Sequence, residues 1–122
     1  MSVLELDIST SPESVFRSNG GGNGAFWFDG PAEGAATFMG LPCTAQLVLR
    51  ADGVVAIRDA RGVREEHCDV LGAIERFVAE GRAPSPLVPH TVGFFAYDLI
   101  ALLEPHVRPR RDGAATLPLA WL

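Results

Sequence analysis

The sequence has no lysine, so its ten basic side chains are all arginines. Together with abundant alanine, glycine and proline, this usage is typical of codon bias in a GC-rich genome. The formal net charge is −5. Because phosphate binding needs clustered basic residues, this charge argues against a nucleic-acid partner.

Cysteine and histidine are scarce as well. Cys43 and Cys68 lie too far apart for a CxxC pair, and a secreted scaffold of this size would normally carry more cysteines. His67, His90 and His106 have no ligand spacing. We therefore predict no metal site.

Long hydrophobic runs are also missing. No apolar stretch approaches the roughly 18–20 residues that a membrane-spanning helix needs. Residues 1–7 are acidic and lack the basic start and apolar core of a signal peptide. The sequence therefore predicts a cytoplasmic protein with no membrane partner.

What is present favours a globular domain. Hydrophobic residues make up 48% of the chain and charged residues 20%, which is ordinary for a chain that buries a core. Ser11 and Pro12 predict the start of a short helix, after a possible strand within residues 3–8. The glycine-rich residues 19–24 precede a strand and lack a lysine, so we interpret them as a flexible connector rather than a phosphate loop.

Alternating and aromatic runs predict the strands. We expect strands over 25–28 and 36–39, separated by a turn that begins at Asp29 and closed by Gly40. The dipeptide Asp52-Gly53 predicts a hairpin between strands 45–50 and 54–58, with a third strand over 61–66. Further strands are expected over 91–96 and from 117.

Two helical patterns follow the hairpin. Asp69 is predicted to cap a helix whose apolar face runs from Val70 to Val78 and which ends at Gly81. A proline-rich linker follows, and Pro105 stops a helical turn over 99–103. The chain is thus predicted to be α+β, with an antiparallel sheet and two or three short helices.

Candidate catalytic groups are few. Glu65 and Glu66 sit beside arginines and are interpreted as a solvated strand end. No nucleophile-elbow pattern such as G-x-S-x-G occurs. We therefore predict no catalytic residue in this chain.

Two stretches nevertheless follow the pattern of a known family. Residues 93–104 read Gly-Phe-Phe-Ala-Tyr-Asp-Leu-Ile-Ala-Leu-Leu-Glu, and residues 26–30 and 34–40 read Phe-Trp-Phe-Asp-Gly and Gly-Ala-Ala-Thr-Phe-Met-Gly. The chain resembles the N-terminal region of component I of the chorismate-aminating synthases over about residues 11–122. That family has Gly-Tyr-x-Gly-Tyr-Asp-Leu-x-Arg-x-x-Glu at the first place. At the second it has a strand ending in Glu-Ser or Asp-Ser, followed by Gly-Arg-Tyr/Phe-Ser-Phe-x-Gly.

The resemblance implies an architecture and a role. Residues 1–122 would be a single non-catalytic N-terminal domain, part of a larger α/β/β/α sandwich, truncated before the chorismate-binding domain. An apolar end at 117–122 would be sticky unless it is covered, which agrees with a truncation. The partners implied are the missing C-terminal domain, which would hold Mg²⁺, and a glutamine amidotransferase subunit. No cofactor is implied in this chain.

The resemblance also implies site residues. Asp29, Gly30 and Thr37 match the wall of a tryptophan pocket, which we interpret as vestigial because the family's serine is Gly30 and its arginine is Ala35. Gly93, Tyr97 and Asp98 match the second motif, where we expect Tyr97 and Asp98 to cap the following helix and bond a neighbouring strand.

Two enzymes of this family and one protein of another class remain as alternatives. The aromatic strand ending in Asp29 and the segment 37–40 favour aminodeoxychorismate synthase, in the folate pathway, over anthranilate synthase, in the tryptophan pathway. The alternative of another class is a small stand-alone α+β assembly module. In either case we expect exposed sheet edges to permit a homo-oligomer.

Overall fold

A computed structural model describes residues 9–19, 24–30, 37–40, 43–81, 90–107 and 117–122. The chain divides into two compact units. The first comprises Met1–Thr44 and Ala83–Pro89, and the second Ala45–Arg82 and His90–Leu122. Several predicted features lie outside the described residues: the strand in 3–8, the glycine-rich residues 20–23, the proline-rich linker and the loop after residue 107.

The described residues of the first unit form one helix and a strand pair. Helix α1 spans Pro12–Asn19, and Ser11 caps it as predicted, since its Oγ accepts a hydrogen bond from the Ser14 backbone N–H at 3.3 Å. Strands β1 (Phe26–Phe28) and β2 (Phe38–Gly40) pair antiparallel. Gly40 belongs to β2, so the prediction that it closes the strand is wrong by one residue.

The second unit is built on a five-stranded antiparallel sheet. Its strands lie in the order β5-β4-β3-β7-β6. Their bounds are β3 Gln46–Leu49, β4 Val55–Asp59, β5 Gly62–Glu66, β6 Phe94–Phe95 and β7 Ala120–Trp121. The predicted hairpin between β3 and β4 is confirmed, and Gly53 lies in its turn with a φ of +83°.

One face of this sheet forms the core. Residues opposite each other in an antiparallel ladder point to the same face, so the pairing register assigns Leu47, Leu49, Val55, Ile57 and Ala120 to one side. All five are at most 4% exposed. They cluster with Ala73, Leu99 and Leu119, and partly buried residues pack against them: Val70, Ile74, Phe77 and Leu122.

The residues that alternate with the core-facing ones along each strand form what we call the second face of the sheet. It consists of Gln46, Val48, Ala56, Arg58, Val63, Glu65, Phe94 and Trp121. None of them is buried, whereas the central strands β3, β4 and β7 bury the core-facing residues Leu47, Leu49, Val55, Ile57 and Ala120. On the outer strands the core face carries Arg64, Glu66 and Phe95, which are partly or fully exposed. The two faces of one sheet therefore have different degrees of burial.

Helix α2 (Val70–Glu80) supplies the helical layer over the core. Asp69 caps it as predicted, accepting a hydrogen bond from the Gly72 N–H at 3.2 Å. Its apolar face contributes Ala73, which is 1% exposed. Gly81 ends the helix with its N–H bonded to the Phe77 carbonyl, at a φ of −80° rather than in the left-handed region.

The last helical segment is a 3₁₀ turn, Tyr97–Leu99, that continues into helix α3 (Ile100–Leu103). Leu99 from this turn is 8% exposed and joins the core. The described residues form three α-helices and two antiparallel sheets, which confirms the predicted α+β class. Within the described ranges, no helix is long and apolar enough to cross a membrane.

Candidate functional site

The β1–β2 pair brings together two of the three residues that match the tryptophan pocket. Phe28 pairs with Phe38, so Asp29 leaves β1 beside Thr37, which leads into β2. The Thr37 hydroxyl donates a hydrogen bond of 2.7 Å to Asp29 Oδ1. Asp29 is exposed and keeps its second carboxylate oxygen, which can accept from an ammonium group. Gly30 follows Asp29 and offers no side chain.

An aromatic layer supports this strand pair. The Trp27 ring packs on Phe16 of α1 at a centroid distance of 5.6 Å, and Phe26 lies 5.4 Å from Phe28. Among the described residues, Trp27 Nε1 is the one buried side-chain nitrogen or oxygen without a hydrogen-bond partner. Sequence reasoning missed the contact with Phe16, because nothing in the local pattern links the helix to the strand.

Gly93, from the second motif, has a backbone role. A Cβ added at Gly93 would lie 1.9 Å from the Trp121 carbonyl oxygen and 2.8 Å from the Leu122 Cα. No side chain fits in that space. Gly93 thus permits the close approach of the chain to β7.

Tyr97 and Asp98 do not cap the helix that follows, so that prediction is wrong. Ala96 occupies the N-cap position of the 3₁₀ turn, and neither this turn nor α3 has a side-chain cap hydrogen bond. The turn begins at Tyr97, so Asp98 lies within its first turn instead of preceding it. Tyr97 is 88% exposed, which places its ring on the surface.

Charged side chains form two clusters on the meander of β3, β4 and β5. In the first, Arg50 bonds Asp52 at 2.6 Å and Glu65 at 2.7 Å. The hydrogen bond from Arg50 lowers the pKa of Asp52, and the same bond raises the pKa of Arg50. The lowered pKa of Asp52 makes its carboxylate a poor general acid.

The second cluster surrounds Arg64, which bonds Asp59 and lies 3.4 Å from Glu66. Arg76 also reaches Glu66, at 3.2 Å, and the Cys68 thiol donates to the same carboxylate at 3.5 Å. The hydrogen bond from Arg64 lowers the pKa of Asp59. The pKa of Glu66 is lowered first by the Cys68 hydrogen bond and then by the two arginines. The sequence is interpreted as placing Glu65 and Glu66 at a solvated strand end. The structure adds that both carboxylates are paired with arginines.

Neither cluster forms a metal centre. Within the part of the chain that the structure describes, no group of three or more His, Cys, Asp or Glu side chains could hold a metal ion. The three histidines are all exposed. Of the residues that match the tryptophan pocket, Asp29 and Thr37 are the two that a hydrogen bond joins.

Comparison of the chain with protein-family models, with curated proteins and with solved structures finds no match. The candidate site therefore stands on the motifs and on its own geometry.

Proposed function

We propose that this chain is the N-terminal, non-catalytic part of component I of a cytoplasmic aminodeoxychorismate synthase, which aminates chorismate towards 4-aminobenzoate. The counterpart in anthranilate synthase is the alternative within the same family. In this proposal Mg²⁺ and the reacting groups belong to a separate chorismate-binding domain. A glutamine amidotransferase subunit supplies ammonia.

The observation that carries the proposal is the pairing of the two upstream motif stretches. Residues 26–30 and 37–40 match the family at separate places, and they meet as β1 and β2 with Asp29 bonded to Thr37. A strand pair that presents a carboxylate and a hydroxyl at one end is suited to an amino-acid ligand, as in the family's regulatory pocket.

The asymmetry of the five-stranded sheet gives independent support. The core face of its central strands is buried, whereas Val48, Ala56 and Trp121 on the second face are only half-buried. Apolar residues on a sheet face are typical of a sheet that packs against another one. The second face thus suits the sandwich that the family builds with its catalytic domain.

One observation favours the assembly module as a second candidate. The buried hydrophobic residues of the second unit, from Leu47 to Ala120, form a core with the helix α2 from the same unit. A unit with its own core can act alone. The two candidates differ in whether a catalytic half is needed.

The decisive test has two parts: reading the gene beyond Leu122, and reconstituting the amination activity from separately produced parts. We expect the reading frame past Leu122 to encode a chorismate-binding half, and a stop codon there would favour the module. If that half is produced separately, adding the 122-residue chain should raise its formation of aminated product from chorismate, Mg²⁺ and ammonia. The chain alone should give none, and product from the chain alone would overturn the proposal.

A matched pair of variants sharpens the reconstitution. Val48→Glu puts a charge on the second face and should abolish the stimulation, because it opposes packing of a second sheet. Glu75→Gln, on the exposed side of α2, should leave it unchanged. Stimulation that survives V48E would show that the second face is not the contact.

The ligand pocket has its own test. Gly30 and Ala35 replace a hydroxyl and a guanidinium of the family, and each lost hydrogen bond to a charged group is worth about 1.5–3 kcal/mol. Tryptophan should therefore bind the full-length enzyme at least about a hundredfold more weakly than it binds a pocket with both groups. Calorimetry should show partial recovery in the double variant G30S/A35R. Micromolar binding to the unmodified enzyme would refute the vestigial pocket.

A further inference from the structure

Among the described strands, the sheet of the second unit has two outer ones, β5 and β6, with opposite surface chemistry. Strand β5 carries Arg64, Glu65 and Glu66. Charges on an outer strand discourage pairing with another chain. Strand β6 is Phe94–Phe95, with side chains 40% and 56% exposed, and residues 91–97 contain no charged side chain.

Strand β6 is held closely against the sheet. The Ala96 N–H donates a 2.8 Å hydrogen bond to the Leu119 carbonyl. Phe94 pairs with Trp121, and the two rings stack at 6.5 Å with an interplanar angle of 18°. The aromatic edge is therefore an ordered part of the sheet.

The direction of the backbone groups follows from this pairing. In an antiparallel ladder, the N–H and C=O of alternate residues point to opposite sides of the strand. Ala96 bonds β7, and Phe94, two residues earlier, points the same way. Phe95 then directs its N–H and C=O away from β7, where they can bond a further strand.

We propose that β6 is a homodimer interface, at which the β6 strand of a second copy of this chain pairs antiparallel about a two-fold axis perpendicular to the sheet. Such an axis keeps each residue on its own face, and opposite residues must share a face. Two registers meet this condition, one with Phe94 opposite Phe94 and one with Phe95 opposite Phe95. Only the first continues the Phe94–Trp121 stack across the axis, so Phe94 lies opposite Phe94 of the second copy. The backbone groups of Phe95 meet those of Gly93.

Self-complementarity makes a second copy the occupant of this edge. In each chain Phe94 stacks on Trp121. The register places the two Phe94 rings side by side at the axis, so the stacks of the two chains join into one row of four aromatic rings on the second face. Aromatic cross-strand pairs of this kind stabilise sheets. Residues 91–97 are uncharged, so the charged side chains that give each copy its net charge of −5 do not lie in the strand where the two copies would pair. The inference depends on the sheet alone and not on the proposed function.

Charge-pair variants test the register. Sedimentation of the 122-residue chain should show a dimer. Phe94→Lys and Phe94→Glu should each raise the dissociation constant at least about tenfold, because like charges then oppose each other across the axis. An equal mixture of F94K and F94E should form a heterodimer, since lysine then faces glutamate. Val63→Lys, on the same face of β5 and 71% exposed in the parent chain, should leave dimerisation unchanged.

Disulfide trapping tests the same contact without relying on a charged variant that folds poorly. Opposed residues in a pair without backbone hydrogen bonds have Cα atoms about 4.5 Å apart, within the range for a disulfide. In a background with Cys43→Ser and Cys68→Ser, Phe94→Cys should give a disulfide-linked dimer on mild oxidation, and Val63→Cys should not. A monomeric parent chain, a mixture that stays monomeric, or equal cross-linking of F94C and V63C would each overturn the proposal.

Discussion

The five-stranded sheet consists of two halves that meet at β3 and are assembled in different ways. On one side, β3, β4 and β5 form a meander of neighbouring segments joined by tight turns. On the other side, β3 pairs with β7, so that Leu49 lies opposite Ala120, more than half the chain length away. The first half depends on local sequence, whereas the second requires the chain to return from a distance.

The halves also differ in how their outer strands meet solvent. The meander ends in β5, where Arg50 and Arg64 neutralise carboxylates on the surface. The distant half ends in the aromatic strand β6, whose neighbour Gly93 leaves room for the β7 backbone. A single sheet can thus have one edge protected by charge and another suited to association.

The largest loss of stability is expected at β3, where the two halves of the sheet join. Leu49 is fully buried and lies opposite both Val55 and Ala120. Leu49→Ala should lower the free energy of unfolding by about 2–5 kcal/mol, because it leaves a cavity shared by both halves. The control Val48→Ala, on the half-buried second face of the same strand, should cost about 1 kcal/mol. Urea unfolding at a fixed protein concentration measures both, and equal losses would contradict the assignment of the core face.

An intermediate loss of stability is expected from two glycine substitutions, one in each half of the sheet. Gly93→Ala forces a methyl group into the β7 backbone and should cost about 1–3 kcal/mol. Gly53→Ala, in the meander turn, places the new Cβ 4.0 Å from Leu102 Cδ2, an ordinary contact, but at a φ of +83°, so strain should cost about 1–2 kcal/mol.

The spectroscopic signature distinguishes these two glycine variants better than their stability does. In a Trp27→Phe background, Trp121 is the remaining tryptophan, and its near-UV circular dichroism reports its stacking on Phe94. G93A should reduce this signal, because β6 must shift away from β7, whereas G53A should preserve it. A signal retained in G93A would show that the approach of Gly93 to β7 is not needed for the aromatic stack.

The smallest effect on stability is expected from a change of pH, and it arises from carboxylates in the meander. The pKa values of Asp52 and Asp59 lie below the ordinary 3.8, and that of Glu66 lies below 4.5. Since each folded-state pKa is below the unfolded one, the stabilisation is complete above about pH 5 and is lost as the pH falls through the folded values. The slope should be shallow because surface ion pairs are screened by solvent.

Denaturation midpoints between about pH 6 and pH 2 measure this slope. Asp59→Asn removes one of the three carboxylates and should flatten it. Glu75→Gln, which removes a carboxylate that has no ion pair among the described residues, is the matched control. A slope that D59N leaves unchanged would show that the Asp59–Arg64 pair does not contribute to acid sensitivity.

Local features were predictable where a few neighbouring residues determine them. Ser11 and Asp69 act as helix caps as predicted, because a cap is made by a side chain and an N–H three residues later. The Asp52-Gly53 hairpin was predictable for the same reason. The cap at Asp98 failed, since a 3₁₀ turn that begins at Tyr97 moves the start of the helical segment two residues earlier.

The candidate site was predictable only in part. The motif pattern singled out Asp29 and Thr37, but their hydrogen bond depends on the register in which Phe28 meets Phe38. The packing of Phe16 on Trp27 had no sequence pattern at all. The distant strands were predicted longer than they are, since β6 and β7 comprise only two residues each.

By itself, the sequence determined the α+β class, the helix caps at Ser11 and Asp69, the meander and the absence of lysine chemistry, because all of these follow from composition or from contacts within a few residues. Only the tertiary structure decided that β7 enters the sheet between β3 and β6, that Gly93 is needed for backbone clearance, and that Phe94 stacks on Trp121 at an edge. Such features depend on which distant segments pair. Pairing is decided by the burial of a shared core, here around Leu49, and no local pattern encodes it.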